Sequence, residues 1–226
     1  MQKNSAKIQP SVSTLRRERE RAEMTERIMD AAREMFVRDG YEAVTLRKIA
    51  LAIQYSPGTI YQYFKDKRAL VQTIIRKDAL DLREHMINCL EGDDPVEQIS
   101  ELARRYALWG ISHPNHYRLM NVPPPAWSEE NHEVHKRENA PLEHEVLSVL
   151  TVVVTEGIRR GQLKEKYSDP ALVAATLWAG IHGVVLLEIS TTSKTRALAG
   201  GRDTAFADRF NTLTEVFLDG FLRGRP

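Results

Sequence analysis

The chain has 226 residues, 42% hydrophobic and 28% charged, enough for one large or two small domains with a proper core. Its net charge of +1 hides an asymmetry: residues 1–80 hold 16 Lys and Arg against 10 Asp and Glu, and residues 81–226 hold 16 against 21. A single cysteine, Cys89, excludes an intrachain disulfide framework or cysteine zinc site; the polar stretch from Met1 to Arg21 is not expected to act as a secretory signal, and no apolar run is expected to reach the roughly 18–20 residues of a membrane span.

In chain order the pattern predicts helices throughout, with no strand alternation and no internal repeat. Residues 1–20, with Lys3, Lys7, Arg16, Arg17 and Arg19, are expected to form a flexible basic arm, either solvated and mobile or laid along phosphates and the minor groove. Arg17 to Asp39 reads as an amphipathic helix with its seam at Ile28, Ala32, Met35 and Phe36, ended by Gly40. Thr45 can cap a short helix that presents Arg47 and Lys48, with Leu46, Ile49, Ala50 and Ile53 on one apolar face. Ser56 is a second N-cap, and Pro57 sits at a first helical position, where its missing N–H costs nothing. A helix of about two turns follows, carrying Thr59, Tyr61, Gln62 and Tyr63 over the apolar anchors Ile60 and Phe64. Lys67 and Arg68 then open another helix, whose N-terminal amides favour an anion.

Two short helices with a tight turn, the second small and polar at its start, read as a helix-turn-helix that enters the major groove of duplex DNA. Thr and Gln can reach base edges, while Tyr hydroxyls and Lys suit phosphates. The candidate DNA-binding residues are therefore Thr45, Arg47, Lys48, Ser56, Pro57, Gly58, Thr59, Tyr61, Gln62, Tyr63 and Lys67. A basic first third before an acidic remainder fits such a head on a body that does not touch DNA.

Beyond the head, Asp66 to Cys89 reads as one helix joining head to body. Pro95 to Ile111 is the next, broken at Ser112–Asn115, and a short helix capped by Asn115 runs to Val122. Pro123, Pro124 and Pro125 force an extended loop, after which a helix runs from about Glu129 to Arg160. Asp169 and Pro170 open a strongly apolar helix to Ile189. Thr191–Arg202 is Thr/Ser/Gly-rich and expected to be mobile, and Ala205–Leu222 makes the last helix. A helix apolar nearly all round is buried in a core or against a partner. One recognition helix covers few base pairs, so a two-fold dimer reading two half-sites is expected, with helices about 170–189 and 205–222 as its contact.

Residues 102–128 are rich in large side chains, which suit either an effector cavity or ordinary core packing. The low-priority ligand candidates are Tyr106, Trp109, Met120, Trp127, Trp178 and His182. His132 and His135 stand at i, i+3, but no zinc spacing surrounds them, and no metal or cofactor is expected. Nor is there a phosphate-binding glycine loop, a metalloprotease motif or a nucleophile elbow, so an enzyme is not expected.

The run Thr45, Arg47, Ile49, Ala50, Ser56, Gly58, Thr59, Tyr61, Tyr63, Phe64, Lys67 and Leu70 resembles the signature of the tetracycline-repressor-like (TetR) family, with Ile28, Ala31, Ala32, Phe36, Gly40 and Tyr41 upstream matching as well. One departure stands in the turn: Gln54 replaces the family's glycine, and Ile53 the preceding small residue. Trp178, His182 and Gly183 resemble a Trp-x-x-x-His-Gly signature of one branch of TetR-like C-terminal domains. The resemblance implies an all-α fold with a three-helix helix-turn-helix head (residues 21–66) after the arm, and a larger C-terminal domain (67–226) for effector binding and dimerisation. It implies a homodimeric regulator, usually a repressor, released from a palindromic operator by a small-molecule effector enclosed by the middle helices; the polar N-terminal stretch and the apolar pattern separately lead to the expectation of a soluble, cytoplasmic protein. The alternative is a non-sequence-specific DNA-associated helical protein without an effector.

Overall fold

The computed structural model of the chain describes residues 11–88, 90, 92–121, 140–190 and 205–222, with residues 140–145 described by their backbone. Residues 1–10 of the expected arm, Cys89, the Pro123–Pro125 loop, Trp127, the Glu129 helix start, the His132/His135 pair and Thr191–Arg202 lie outside them. The described helices are α1 (Val12–Asp39), α2 (Leu46–Ala52), α3 (Pro57–Tyr61), α4 (Lys67–Ile87), α5 (Pro95–Ser112), α6 (Pro114–Asn121), α7 (Ala140–Arg159), α8 (Pro170–Ser190) and α9 (Phe206–Phe221). Among the described residues there is no strand, only an isolated bridge between Leu163 and Leu222. The fold is all-α, and the chain divides into two compact units, Met1–Ile74 and Ile75–Pro226.

In the first unit α1 starts earlier than the apolar seam suggests. Ser11 caps it, its Oγ accepting the Thr14 N–H at 3.2 Å, so Arg16, Arg17 and Arg19 are helical rather than part of an irregular arm. The reason is local: this turn and the next bury nothing, but Arg16 and Glu20 pair at 2.8 Å at i, i+4. Burial begins at Ile28. Ile28, Met29, Ala32 and Phe36 then meet Val44, Ile49, Ala50, Ile60, Phe64, Leu70 and Ile74, all within a few per cent of complete burial. That small core fixes α2 and α3 against α1.

The second unit is built around α5, α7 and α8, with α6 on α5 and α9 on α8. Its helix starts follow the expected chemistry. Asp94 caps α5 before Pro95, and Asp169 accepts the Ala171 and Leu172 amides before α8. The short helix begins at Pro114, so Asn115 lies inside it rather than capping it, because proline occupies its first turn at no hydrogen-bond cost. Gly110 of α5 lets the helices close: a Cβ there would stand 2.6 Å from Val185 and 2.8 Å from the Tyr117 ring. Lys164 ties the chain end down, its Nζ donating to the Asp219 and Gly220 carbonyls near the C-terminus of α9.

One expectation is corrected. By length and composition α8 is apolar enough to cross a membrane. The helix nonetheless belongs to this core through Val173, Ala174, Leu177, Ile181 and Val185.

Candidate functional site

The helix-turn-helix is assembled from two side-chain caps and one strained residue. Thr45 Oγ1 accepts the Lys48 amide at 3.2 Å and starts α2; Ser56 Oγ accepts the Thr59 amide at 3.3 Å and starts α3. Between them Gln54 sits in the left-handed region with φ 64°, the one non-glycine residue with positive φ among those described. The Tyr55 N–H donates to the Ala50 carbonyl at 2.9 Å and the Gln54 N–H to the Leu51 carbonyl at 3.1 Å. These are the paired bonds of a Schellman ending, which satisfies the last carbonyls of α2. The turn thus adopts a conformation that glycine takes easily at a residue that is not glycine, at a cost of order 1 kcal/mol.

Of the expected DNA-binding residues, Thr45, Arg47, Lys48, Ser56, Gly58, Tyr61 and Gln62 are exposed, while Pro57, Thr59, Tyr63 and Lys67 are half-buried. Ile60 and Phe64 are buried beneath them. α3 spans five residues, a little shorter than two turns, and Gln62, Tyr63 and Phe64 follow in a tighter hydrogen-bonded turn. Thr59 Oγ1 lies 3.0 Å from Ser56 Oγ, which orients both hydroxyls. Lys48 donates to the Ala43 carbonyl, and Lys67 donates to the Tyr41 carbonyl at 2.8 Å with its ammonium 3.9 Å from that ring's centre. Each ammonium keeps further donor capacity, since it has three N–H groups. A Cβ added to Gly58 would meet nothing closer than Ser56 Oγ at 3.8 Å.

Two arginines of α1 join this face. Arg21 donates to the Gln62 carbonyl at 3.3 Å and lies over the Tyr63 ring, holding the end of α3. Arg27 donates to the Ile53 carbonyl and lies over the Tyr55 ring, holding the strained turn. Nothing in linear spacing shows that they reach residues 26 to 41 positions away.

In the second unit the structure brings three of the ligand candidates together. Trp178 Nε1 donates to Tyr106 Oη at 3.0 Å; Tyr106 Oη is 2.9 Å from Tyr117 Oη; Tyr117 Oη is 2.7 Å from His182 Nδ1. His182 also stacks between Tyr117 and Trp178, at 5.5 and 5.1 Å between ring centres. Burial pushes the Tyr106 phenol up to about 12 and the Tyr117 phenol higher still, and it lowers the His182 pKa. The group is therefore an uncharged relay at neutral pH. Trp109 is buried apart from it, donating to Asp81 and stacking on His113, and Met120 is half-buried against the same core. Tyr117, one of the large side chains of residues 102–128, joins the group: its phenol links Tyr106 to a histidine 65 residues away.

Comparison with known proteins bears on both units. The family model described as bacterial regulatory proteins, tetR family, matches residues 28–74, and that of the tetracyclin repressor-like C-terminal domain matches residues 99–210. The HTH-type transcriptional regulator UidR of Escherichia coli K12 is 42% identical over 52 residues, 23% of this chain and 26% of that protein, so the chain matches about a quarter of that relative's length. The fatty acid metabolism regulator protein of Bacillus subtilis is 27% identical over 142 residues, 61% of this chain and 70% of that protein. Among solved structures, the transcriptional regulator FadR of Bacillus subtilis in complex with stearoyl-CoA is similar with a TM-score of 0.68 at 20% identity, over 86% of this chain and 98% of that one. A protein of unknown function from Rhodococcus sp. RHA1 is similar with a TM-score of 0.69 at 16% identity, over 97% of this chain and all of that one.

Proposed function

Because the chain belongs to the tetracycline-repressor (TetR) family of bacterial regulatory proteins, we propose that it is a sequence-specific DNA-binding transcriptional regulator, homodimeric and answering a small molecule held in its second unit. The observation that carries this reading is α3 itself: a capped helix whose apolar side chains are consumed by the core and whose polar ones, Tyr61 and Gln62 above all, face outward. Thr59 and Gln62 read base edges; Arg47, Lys48, Tyr61, Tyr63 and Lys67 meet phosphates; Thr45, Ser56, Pro57 and Gly58 set and approach the backbone.

The dimer is supported by what α8 leaves uncovered. Within the protomer most of α8 is half-buried or exposed rather than buried. Leu172, Thr176, Ala179 and Gly183 are exposed at helical spacing, and Val216 and Gly220 are exposed on α9. A second copy brought against this small-residue stripe removes apolar area from water, and a two-fold dimer carries the two recognition helices that two half-sites about 34–36 Å apart require. In this reading an effector lowers affinity by preferring a state whose heads no longer match that spacing, a coupling of roughly 1–3 kcal/mol in typical cases. α4, continuous across the boundary at Ile74, is the element that transmits it. Repression of a palindromic operator, a cytoplasmic location and the absence of catalysis complete the proposal. The stearoyl-CoA bound by the Bacillus subtilis regulator makes a long-chain acyl compound a first candidate effector.

The test is selection from a random duplex pool, followed by mobility shift with the selected palindrome and a scrambled control at matched salt. The proposal expects a preference of at least about a thousandfold and a symmetric site. Equal affinity for both duplexes supports the non-specific alternative. Gln62→Ala or Thr59→Ala is expected to change the selected sequence; an unaltered profile would remove these residues from base contact.

A further inference from the structure

Two arginines mark the course of α1 along the helix-turn-helix. Arg27 reaches the turn before α3, at the Ile53 carbonyl, and Arg21 reaches the turn after it, at the Gln62 carbonyl and the Tyr63 ring. Followed toward its N-terminus, α1 therefore runs in the direction of α3 and passes its end. It continues from Arg21 back to the Ser11 cap, about 15 Å at about 1.5 Å per residue, roughly twice the length of α3. Every residue of this overhang is exposed. Its charges are sorted around the helix. At about 100° per residue, Arg17 and Thr14 stand within about 40° of Arg21, on the same side as the buried Ile28. Glu18 flanks that side at about 60°, whereas Glu20, Glu23 and Glu26 lie about 100° or more away. Glu20 is taken by Arg16 at 2.8 Å; Arg17 and Glu18 have no ion pair among the described residues. Arg17 and Arg21 thus repel each other at i, i+4 in turns that bury nothing, so the Arg17 charge does nothing for the fold.

We propose that the first turns of α1 are a further DNA-contacting element: Arg17 binds the phosphate backbone at the edge of the groove that α3 enters, and Arg21 holds a neighbouring phosphate while it fixes the end of α3. The proposal rests on the reading of α3 as the recognition helix and adds the backbone beside it. Reach follows from length. The major groove is roughly 12 Å wide, so a five-residue helix fits within it, and a rod that outruns that helix by about 15 Å crosses the groove's edge, where the phosphates stand. Chemistry follows from the side chains. A guanidinium presents a planar fork of five donors that matches phosphate oxygens. Arg21 gives one of them to Gln62 and keeps the others; Arg17 keeps all five. Being helical from Ser11 onward, the overhang holds Arg17 in place before DNA arrives, so little freedom is lost on binding.

The experiment follows the full-length protein on the selected palindrome by fluorescence anisotropy over a range of salt concentrations. Arg17→Ala is expected to weaken binding about tenfold and to lower the slope of log affinity against log salt by about 2, one phosphate from each protomer. Arg19→Ala removes the same charge about 160° away on the helix and is expected to leave the slope as it was. Arg17→Lys is expected to restore the slope, and Glu18→Gln to tighten binding. Ethylation interference supplies a readout that altered folding cannot mimic: ethylating a phosphate at one edge of each half-site should weaken the wild type and not Arg17→Ala. Equal losses from Arg17→Ala and Arg19→Ala reduce the effect to net charge and overturn the proposal, as does an ethylation pattern shared by wild type and Arg17→Ala. A palindrome preferred by a protein whose slope Arg17→Ala does not change removes this contact and leaves the regulator standing. A slope lowered by Arg17→Ala in a protein that binds scrambled duplex equally well does the reverse.

Discussion

Gln54 and Gly58 are the two residues at which conformation and DNA contact can be separated. Gln54 holds φ 64° without the glycine that makes such an angle easy. Gln54→Gly is expected to raise the melting free energy by about 0.5–1 kcal/mol, less than the full strain because glycine adds freedom to the unfolded chain. Calorimetry on the whole protein would check this, and a lower melting temperature would show that the Gln54 side chain contributes more than its backbone costs. Gly58 presents the opposite case, since nothing in the protein occupies the space its Cβ would take. Gly58→Ala is expected to keep or slightly raise stability, alanine being the better helix former by about 1 kcal/mol. Duplex affinity should fall several-fold, because the backbone can no longer come as near to the phosphates. An alanine variant that binds duplex normally would leave the glycine without a role on this face.

At the scale of elements, what could be read in advance depended on whether a helix announces its ends. α5, α8 and α9 begin and end within a residue or so of their expected limits, and for α5 and α8 the pairs Asp94–Pro95 and Asp169–Pro170 state the starts chemically. α1 was foreseen only from Arg17, since a helix that buries nothing before Ile28 has no apolar rhythm to detect, and its Ser11 cap was absorbed into the polar arm. The helix-turn-helix face was legible in its exposed members. The clamps supplied by Arg21 and Arg27, and the Tyr117 link to His182, arise from contacts across the fold that no spacing rule encodes. α8 misled in another way: its composition meets a membrane criterion that the sequence reading judged unmet. Its exposed stripe supplies the test of the dimer. Ala179→Glu should yield monomers in light scattering, helical content unchanged, and duplex affinity lower by at least about a hundredfold, because one head alone covers half a site. Persistence of the dimer would place its interface elsewhere.

For the molecule as a whole, protons and stability are linked through His182. Its folded pKa lies below that of a free imidazole because burial disfavours the cation. Below pH about 6.5 the unfolded chain therefore binds more protons there than the folded one, and stability falls with pH. The melting temperature is expected to drop between about pH 7.5 and about pH 5.5, and His182→Asn should flatten that slope. An identical slope in the variant would assign the titration to other groups. Glu101 and Glu156, each held at about 2 by two arginines, act in a separate window: their contribution is present above the ordinary carboxylate range and is lost toward pH 2.

Ala103, Leu150 and Ile181 wall both of two small voids in the second unit, each with room for about one water. With the interior filled to within about one water on either side, a guest cannot enter faster than these side chains step aside. Entry of any small molecule should then saturate: beyond some concentration, its rate would stop rising. Shaving Leu150 to alanine would raise that ceiling, making one side chain the gate of the interior.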